Sequence, residues 1–311
     1  MKRLVSTIGL DKSEWLKYRK KGITGTDAGA ICGMNPYVSA FAVYQDKITE
    51  ETEEVDNETM RQGRDMEEYV ASRFEEASGL RVRRANAIFQ NEEFPYMLAD
   101  FDRLIVGHKA GLECKTVSPY SADKWSDEDI PLHYQMQCQH YMAVSGLDRW
   151  YIAALIYGRD FIIRQIDRDE EIIQNLITIE KHFWYENVMK RIMPDPDGTK
   201  SCSEQIARLY YKSDKDKTVQ LLGYDSDLKR REELIELIDK LEQEKASIDQ
   251  KIQLELQDAG YGTAGDYRIS WLNTVSRRLD TKLFKSENPE MYNKYAKESS
   301  SRRFVVKRIA A

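Results

Sequence analysis

Asp102, Glu113 and Lys115 form the most informative set of polar residues in the sequence. Glu113 and Lys115 lie two positions apart in a stretch that is typical of a β-strand, so their side chains project from one face and Cys114 from the other. An apolar run with Asp102 precedes this stretch across a short loop that contains Gly107. This arrangement predicts a β-hairpin in which Asp102 lies beside Glu113. Two carboxylates so close together require a cation, and oxygen ligands suit Mg²⁺ or Mn²⁺.

A divalent cation at this position would activate a water molecule and neutralise charge that develops on a phosphoryl oxygen. Lys115 would orient or help to deprotonate the nucleophile, or stabilise the transition state as a fixed cation. The pattern alone does not distinguish such a site from a strand with an ordinary surface Glu/Lys pair. Residues elsewhere in the chain are needed to identify it.

Apolar periodicity predicts the elements that would position these residues. Helices are predicted at 57–78, about 132–145 and about 168–192, a strand-like segment at 80–90, and a second hairpin from 150–157 and 160–166. The hairpins and the helices around them predict the α/β (α+β) fold class, with a central mixed sheet flanked by helices.

The N-terminal region predicts a helix that follows Asp11 and carries Trp15, then a turn at Gly22 into a second helix. Thr26 or Asp27 is the predicted N-cap of this second helix. Backbone N–H groups at a helix N-terminus bind anions. The same residues suit plain capping equally well.

The segment 195–199 contains Asp, Pro and Gly, which predicts a domain boundary. We therefore expect an N-terminal domain at 1–195 and a mainly helical C-terminal extension at 196–311. The extension contains a predicted long amphipathic helix at about 225–258 and a strand-containing tail near 266–272. A helix of this kind suits a DNA channel, a subunit interface or a docking site for a partner protein.

Composition limits the class of protein. The chain has 311 residues, 47 Lys and Arg against 53 Asp and Glu, and a net charge of -6. It contains no long apolar run and no secretory signal at the N-terminus, so a cytoplasmic protein is expected. Its four cysteines are widely scattered, which argues for reduced thiols and against an iron–sulfur cluster.

Further polar residues complete an ordered series. Glu67 follows Gly63 on the helix predicted upstream of the hairpin, and Gln137 and Tyr141 share one face of the helix predicted downstream. The series resembles the PD-(D/E)XK nuclease superfamily and, more narrowly, the YqaJ-like viral recombinase family, which includes the phage lambda exonuclease. The resemblance covers about residues 10–165, and its matching residues are Trp15, Arg19, Ile23–Ala28, Gly63, Glu67, Leu98–Arg103, Gly111–Thr116, Ile130, Pro131, Tyr134 and Gln137–Met142.

This resemblance implies a restriction-endonuclease-like core and assigns roles to the residues of the hairpin. Asp102 and Glu113 would be metal ligands, with the backbone carbonyl of Cys114 also available. Lys115 would be the catalytic lysine. Glu67 would hold a second metal or its water.

The resemblance assigns roles outside the hairpin as well. Gln137 would orient the site, with Tyr141 as an accessory residue. Arg19 and Thr26 match the positions that hold a terminal 5′-phosphate; the family usually has Ser where this chain has Thr26, and the hydroxyl is retained. Asp100 is either a second ligand or a solvated neighbour of Asp102, and the neighbour is favoured.

The implied activity is Mg²⁺-dependent 5′→3′ exonuclease digestion of linear double-stranded DNA, with Mn²⁺ as a substitute metal. The product would be a 3′ single-stranded overhang for phage-type homologous recombination in a bacterial or phage-infected bacterial cell. The implied partners are DNA ends, a single-strand annealing protein (RecT/Beta-like) and further copies of the chain in a ring, with a trimer favoured. A ring needs basic residues only along its channel, which is compatible with the acidic net charge.

Three alternatives remain at this point. A structure-specific or sequence-specific endonuclease of the same superfamily would have no use for a 5′-phosphate pocket around Arg19 and Thr26. A catalytically weak module that only binds DNA ends is disfavoured by the intact set of Asp102, Glu113 and Lys115. An iron–sulfur nuclease is disfavoured by the scattered cysteines.

Overall fold

The computed structural model describes residues 1–50, 57–126, 129–298 and 300–308. It divides the chain into two compact units, Met1–Tyr210 and Tyr211–Ala311. Every helix in these ranges is too short or too polar to cross a lipid bilayer.

The first unit contains two β-sheets. The larger has five strands in the order β2-β5-β6-β7-β8, in which β6 and β7 are parallel and the other neighbours are antiparallel. The smaller has three antiparallel strands in the order β1-β3-β4. The strands are β1 (Lys2–Ser6), β2 (Val82–Arg84), β3 (Ala87–Gln90), β4 (Leu98–Asp100), β5 (Arg103–Ile105), β6 (Ala110–Val117), β7 (Arg149–Ile156) and β8 (Asp160–Asp167).

Helices cover both faces of the larger sheet, so the predicted mixed sheet flanked by helices is confirmed. The helices of this unit are α1 (Lys12–Arg19), α2 (Gly25–Ile31), α3 (Ala40–Ile48), α4 (Glu58–Ser78), α5 (Leu132–Ser145), α6 (Glu170–His182) and α7 (Lys200–Leu209). A 3₁₀ helix spans Pro119–Trp125, and a π-helical turn, Phe183–Met189, continues α6.

The boundary between the units lies after α7, whereas the sequence prediction placed it at 195/196, before that helix. Helix α7 is attached to the first unit by its own contacts. The hydroxyl of Ser201 accepts a hydrogen bond from the backbone N–H of Ser39 at 3.1 Å. Ser39 is the N-cap of α3, so α7 is fixed to the start of that helix.

Strand β7 shows why the sheet is covered on both sides. Trp150, Ile152 and Ala154 pack in the core cluster that contains residues of α5, whereas Ala153 packs with Val70 and Phe74 of α4. The sequence of a strand that is buried on both faces is nearly continuously apolar, as it is in β7. The alternation in β7 therefore places α4 and α5 on opposite faces of the sheet.

Two local predictions were wrong in detail. The segment 80–90 forms two strands in different sheets, because Asn86 between them has a left-handed backbone (φ 51°) that interrupts extended structure. Helix α2 has Thr24 as its N-cap, not Thr26 or Asp27. Asp27 is the third residue of this helix, and its Oδ2 accepts a hydrogen bond from the backbone N–H of Thr24 at 2.8 Å.

The second unit contains the predicted long helix and the predicted strand. Helix α8 spans Asp225–Leu256 and has no buried residue. The predicted strand is β10 (Tyr267–Ser270), which pairs with β9 (Tyr261–Ala264). Strand β9 was not predicted, because glycines such as Gly262 are unfavourable inside a strand. Two short helices follow, α9 (Thr281–Glu287) and α10 (Pro289–Tyr295).

A pair of glycine substitutions tests the packing of the five-stranded sheet of the first unit. A Cβ on Gly111 would lie 2.4 Å from ring atoms of Trp150, which is fully buried. Gly111→Ala is therefore expected to lower the free energy of unfolding by about 1–3 kcal/mol. A Cβ on Gly63 of α4 would meet only Thr116 Oγ1, at 3.7 Å, so Gly63→Ala is expected to raise it by about 0.5–1 kcal/mol.

Urea titration of the two variants measures both effects. Equal shifts of the unfolding midpoint in the same direction would contradict the packing described for β6 and β7.

Candidate active site

Strand β6 carries Glu113 and Lys115 toward α5 and Cys114 toward α4, as the alternation of a strand predicts. Cys114 packs against the core cluster that contains Val70 and Phe74 of α4. On the other face, Lys115 Nζ donates a hydrogen bond to Glu113 Oε1 at 2.6 Å. The hairpin register places Arg103 opposite Leu112, so Asp102 enters the hairpin next to Glu113.

Helix α5 completes the surroundings of Glu113. Gln137 Nε2 donates hydrogen bonds to Glu113 Oε1 and to the hydroxyl of Tyr141, each at 2.7 Å. One oxygen of Glu113 is thereby held by two donors. The other, Oε2, is buried and accepts no hydrogen bond from the residues that the structure describes. A buried carboxylate oxygen without a partner is costly, and a bound cation would satisfy it.

Asp102 provides the second carboxylate. Its Oδ2 accepts a hydrogen bond from the backbone N–H of Cys114 at 2.8 Å. Burial and the negative charges of Glu113 and Glu67 raise the pKa of Asp102 well above its ordinary value. The positive charge of Lys115 offsets this pKa shift only in part. The pocket therefore has an excess of negative charge.

The donor set fits a hard divalent cation that keeps part of its water shell. In the described ranges, no group of three or more His, Cys, Asp and Glu side chains forms a ready-made metal cage. Two carboxylates, Asp102 and Glu113, are available, and the Cys114 carbonyl would add a backbone oxygen. Magnesium is commonly bound by one or two carboxylates with water in the remaining positions.

Glu67 reaches the same region from α4, but its direct contact is with another side chain. Its carboxylate accepts a hydrogen bond from Arg103, whose side chain is buried. Arg103 also pairs with Glu68 at 3.0 Å and donates to the backbone carbonyl of Asp102 at 2.8 Å. Arg103 thus links α4 to the hairpin. No role was predicted for Arg103, although an arginine inside an apolar hairpin strand indicates a buried charge that needs a partner.

The second predicted set, Arg19 and Thr26, is also brought together. Arg19 Nη2 donates to the hydroxyls of Thr26 and Thr24 at 2.8 and 3.1 Å. Arg19 Nη1 forms an ion pair with Asp100 Oδ2 at 2.6 Å, and its guanidinium lies 4.5 Å from the ring centroid of Trp15. Asp100 therefore holds Arg19, which is a different role from either the ligand or the solvated neighbour considered from the sequence.

A buried lysine, Lys47, which was not predicted as part of the site, supports this cluster. The side chain of Lys47 is 2% exposed, and its Nζ lies 2.7 Å from Asp27 Oδ2. The same ammonium donates to the backbone carbonyl of Arg19 at 3.2 Å. Burial raises the pKa of Asp27, but the charges of Lys47 and Arg19 outweigh it and hold that pKa below its ordinary value. Helix α3 thus fixes the end of α1 and the start of α2.

Tyr141 connects the two sets of residues. Its hydroxyl accepts from Gln137, while its ring lies against the start of α2, where a Cβ on Gly25 would be 2.3 Å from Tyr141 Cε1. Gly25 is required for this close approach. The ring also contacts Phe101 edge-on, at 5.3 Å between centroids. Tyr141 therefore contacts both the start of the helix that carries Thr26 and the glutamine that holds Glu113.

A buried ion pair lies behind the site. His140 Nδ1 is 2.8 Å from Glu180 Oε1, and Nε2 is 2.9 Å from the backbone carbonyl of Leu98; both His140 and Glu180 are fully buried. Burial lowers the pKa of His140, but the charge of Glu180 outweighs it and raises that pKa above its ordinary value. Through these two contacts His140 fastens α5 to β4 and α6.

Solved structures share this fold. An alkaline exonuclease, LHK-Exo from Laribacter hongkongensis, matches with a TM-score of 0.50 and 16% identity, covering 64% of this chain and 100% of that chain. A structure of LHK-Exo in complex with dAMP matches with a TM-score of 0.51 and 19% identity, covering 64% of this chain and 98% of that chain. At these identities the likeness concerns the fold, a central mixed sheet flanked by helices, which the sequence predicted.

Two sequence comparisons identify the family. The family model described as the YqaJ-like viral recombinase domain matches residues 14–148. Uncharacterized protein YqaJ of Bacillus subtilis (strain 168) is 37% identical over 305 residues, which cover 97% of this chain and 96% of that protein. The chain belongs to the YqaJ-like viral recombinase family.

A double-mutant cycle tests the buried pair. Glu180→Leu and His140→Leu each leave one buried ionisable group without its partner, so each is expected to lower the free energy of unfolding by about 3–5 kcal/mol. The double variant removes both groups, and its loss is expected to be clearly smaller than the sum of the two single losses. Urea unfolding measures all four proteins, and strict additivity would argue against a charged pair.

Proposed function

We propose that this protein is a metal-dependent deoxyribonuclease that digests linear double-stranded DNA from its 5′ ends. The observation that carries the proposal is the environment of Glu113: Lys115 and Gln137 hold one carboxylate oxygen, and the other is buried without a partner in the described part of the chain. Asp102 lies beside it. This is the donor set that phosphodiester hydrolysis with a divalent cation requires.

Asp102, Glu113 and the Cys114 carbonyl would hold Mg²⁺, with Mn²⁺ as a substitute. When bound, such a cation supplies an activated water and neutralises charge on the phosphoryl oxygen. Gln137 fixes the orientation of Glu113. Glu67 would hold a second metal or its water, which requires it to leave Arg103.

Lys115 would act on the scissile phosphate. Its ammonium is held by Glu113 on the face of β6 that is turned toward α5 and lies 4.8 Å from the ring centroid of Tyr134. In this position it would hold the nucleophilic water or stabilise negative charge in the transition state. The hydrogen bond from Lys115 to Glu113 keeps this cation next to the metal ligands.

Arg19 and Thr26 would bind the terminal 5′-phosphate. Asp100 and the ring of Trp15 hold the guanidinium in place, and Nη2 points to the hydroxyls of Thr24 and Thr26. A terminal phosphate would accept from the guanidinium and from the hydroxyl of Thr26. A site for a terminus favours an exonuclease over an endonuclease.

The same proposal extends to the product and the assembly. Digestion of the 5′-ended strand would leave a 3′ single-stranded overhang for a single-strand annealing protein in phage-type recombination, in the cytoplasm of a bacterial cell. A ring of three copies around DNA would confine the basic residues to its channel and is compatible with a net charge of -6. We assign the second unit, Tyr211–Ala311, to this assembly or to the annealing partner.

The first experiment tests activity on defined DNA. Linear duplex labelled at the 5′ or the 3′ end and a closed circle are incubated with the full chain in Mg²⁺ or EDTA. Mg²⁺-dependent release from the 5′ ends, with the circle intact, is the expected result. Nicking of the circle would replace the proposal with an endonuclease, and binding of ends without cleavage would leave a binding module.

Lys115→Ala is expected to reduce the cleavage rate by roughly 10²–10³-fold or more and to leave DNA affinity nearly unchanged. The matched control is Lys109→Ala, which removes an exposed lysine from the loop of the same hairpin and is expected to cleave normally. Cleavage assays and DNA titrations measure the two effects. Equal rates for the two variants would contradict the role of Lys115.

Arg19→Ala is expected to reduce the preference for 5′-phosphorylated over 5′-hydroxyl ends by roughly 10–100-fold, because it removes a charged hydrogen-bond donor to the phosphate. Lys17→Ala removes an exposed charge from the same helix and is expected to retain the preference. Initial rates on the two kinds of end measure it. An equal slowing on both ends by Arg19→Ala would exclude the phosphate pocket.

A further inference from the structure

An aromatic edge, made of Tyr37, His133 and Tyr134, extends outward from the candidate catalytic lysine. Lys115 Nζ faces Tyr134 at 4.8 Å from the ring centroid. His133 and Tyr134 have centroids 4.0 Å apart, and Tyr37 follows at 6.1 Å from His133 in an edge-on contact. Neither Tyr37 nor His133 has a part in the roles described so far.

Tyr37 is exposed and yet held in place. Its side chain is 62% exposed. Asn35 Oδ1 accepts hydrogen bonds from the backbone N–H groups of Tyr37 and Val38 at 2.9 and 3.1 Å, which fixes the turn that presents the ring. Lys124 Nζ lies 3.5 Å from the Tyr37 hydroxyl and 5.6 Å from its ring centroid. The outer end of the edge thus combines an open aromatic face with a cation.

His133 is fixed at the middle of the edge. A Cβ on Gly29 of α2 would lie 2.9 Å from His133 Cβ and 3.0 Å from its Cα, so α2 and α5 touch closely at this residue. Burial and the charges of Lys115 and Lys124 lower the pKa of His133 to about 4. At neutral pH its ring is an uncharged aromatic face, which suits stacking.

We propose that Tyr37, His133 and Lys124 form a nucleotide subsite that stacks an unpaired base of the strand being cleaved and contacts its phosphate. The inference rests on the proposed function and deepens it. A phosphate within reach of Lys115 brings its neighbouring nucleotides to the same surface. Successive bases on one strand are about 3.4 Å apart along the duplex axis, so the edge covers a length of very few nucleotides.

The chemistry of the edge matches an unpaired base better than a duplex. A base within the duplex is stacked on both faces and offers no ring surface to Tyr37. A base that has left the duplex at the cleaved end exposes its π-face, which aromatic side chains bind without sequence preference. Lys124 adds a cation for the phosphate that follows. The subsite would therefore hold the end of the strand open during digestion.

The probe is a linear 5′-phosphorylated duplex with 2-aminopurine at the 5′-terminal position or at one of the next two positions, whose fluorescence falls on stacking. The full chain binds it with Ca²⁺ in place of Mg²⁺, and a gel confirms that the duplex stays intact. At one of these positions, the fluorescence of 2-aminopurine in the complex is expected to differ from that in the free duplex. The difference is either further quenching or another change that is confined to that position. Tyr37→Ala is expected to abolish this change and to weaken binding roughly tenfold.

Two variants serve as controls. Tyr37→Phe keeps the ring and is expected to retain the fluorescence change, which separates stacking from the hydroxyl contact with Lys124. Tyr69→Ala removes an exposed tyrosine from α4, on the opposite face of the sheet, and is expected to behave as the wild type. Circular dichroism verifies that each variant is folded.

A second measurement compares digestion of paired 5′ ends with digestion of ends that carry two mismatched pairs. Tyr37→Ala is expected to slow paired ends severalfold more than mismatched ends. An unchanged fluorescence response and an unchanged ratio of these rates in Tyr37→Ala would overturn the subsite while the nuclease proposal stands. A wild-type protein that cleaves neither kind of end would instead remove the proposed function, and the subsite with it.

Discussion

The arrangement of the site depends on how one carboxylate is held. Glu113 lies in the middle of the sheet with one oxygen bound by Lys115 and Gln137 and the other buried without a partner among the described residues. Burial of such a group is unfavourable, so the surrounding packing has to impose it. The amide of Gln137 can reach Glu113 only because α5 packs on the face of β6 that carries it, and that face is fixed by the alternation of the strand. The hairpin then adds Asp102, whose pKa is raised by burial first and then by the negative charges of Glu113 and Glu67.

Buried and part-buried ion pairs hold the elements around this carboxylate in their relative positions. Arg19 with Asp100 joins the end of α1 to β4, Lys47 with Asp27 joins α3 to α2, and His140 with Glu180 joins α5 to α6. Each pair requires desolvation of two charges, which the mutual attraction offsets only when the geometry is good. Such pairs add little net stability compared with apolar packing. Their effect is specificity, because a displaced helix would leave a charge in the core without its partner.

Sequence reasoning succeeded where the deciding interaction is local. The period of two in 110–117 predicted that Glu113 and Lys115 share a face and that Cys114 lies on the other, and the structure agrees. The second hairpin and the helices α4, α5 and α8 follow from periodicity in the same way. The first hairpin was predicted only in part, because the run 97–106 divides into β4, which pairs with β3, and β5, which pairs with β6. The partners of Asp27, Asp100 and His140 could not be predicted, because each is paired across the fold with a residue far away in sequence. The N-cap of α2 was misplaced for a related reason: several small polar residues can cap a helix, and the ion pair of Asp27 with Lys47 selects among them.

Two predicted residue sets, Arg19 with Thr26 and the hairpin set around Glu113, are connected by packing and not by charge alone. Tyr141 contacts the start of α2 with its ring and Gln137 with its hydroxyl, and Gly25 allows the ring to approach that closely. Tyr141 therefore fixes the distance between the start of α2, which carries Thr26, and Gln137, which holds Glu113. If a terminal phosphate binds at Thr26 and the metal at Glu113, the spacing between the bound end and the cleaved bond is set by a packed aromatic core. Such an enzyme would cleave at a fixed distance from the DNA end, which is what stepwise digestion requires.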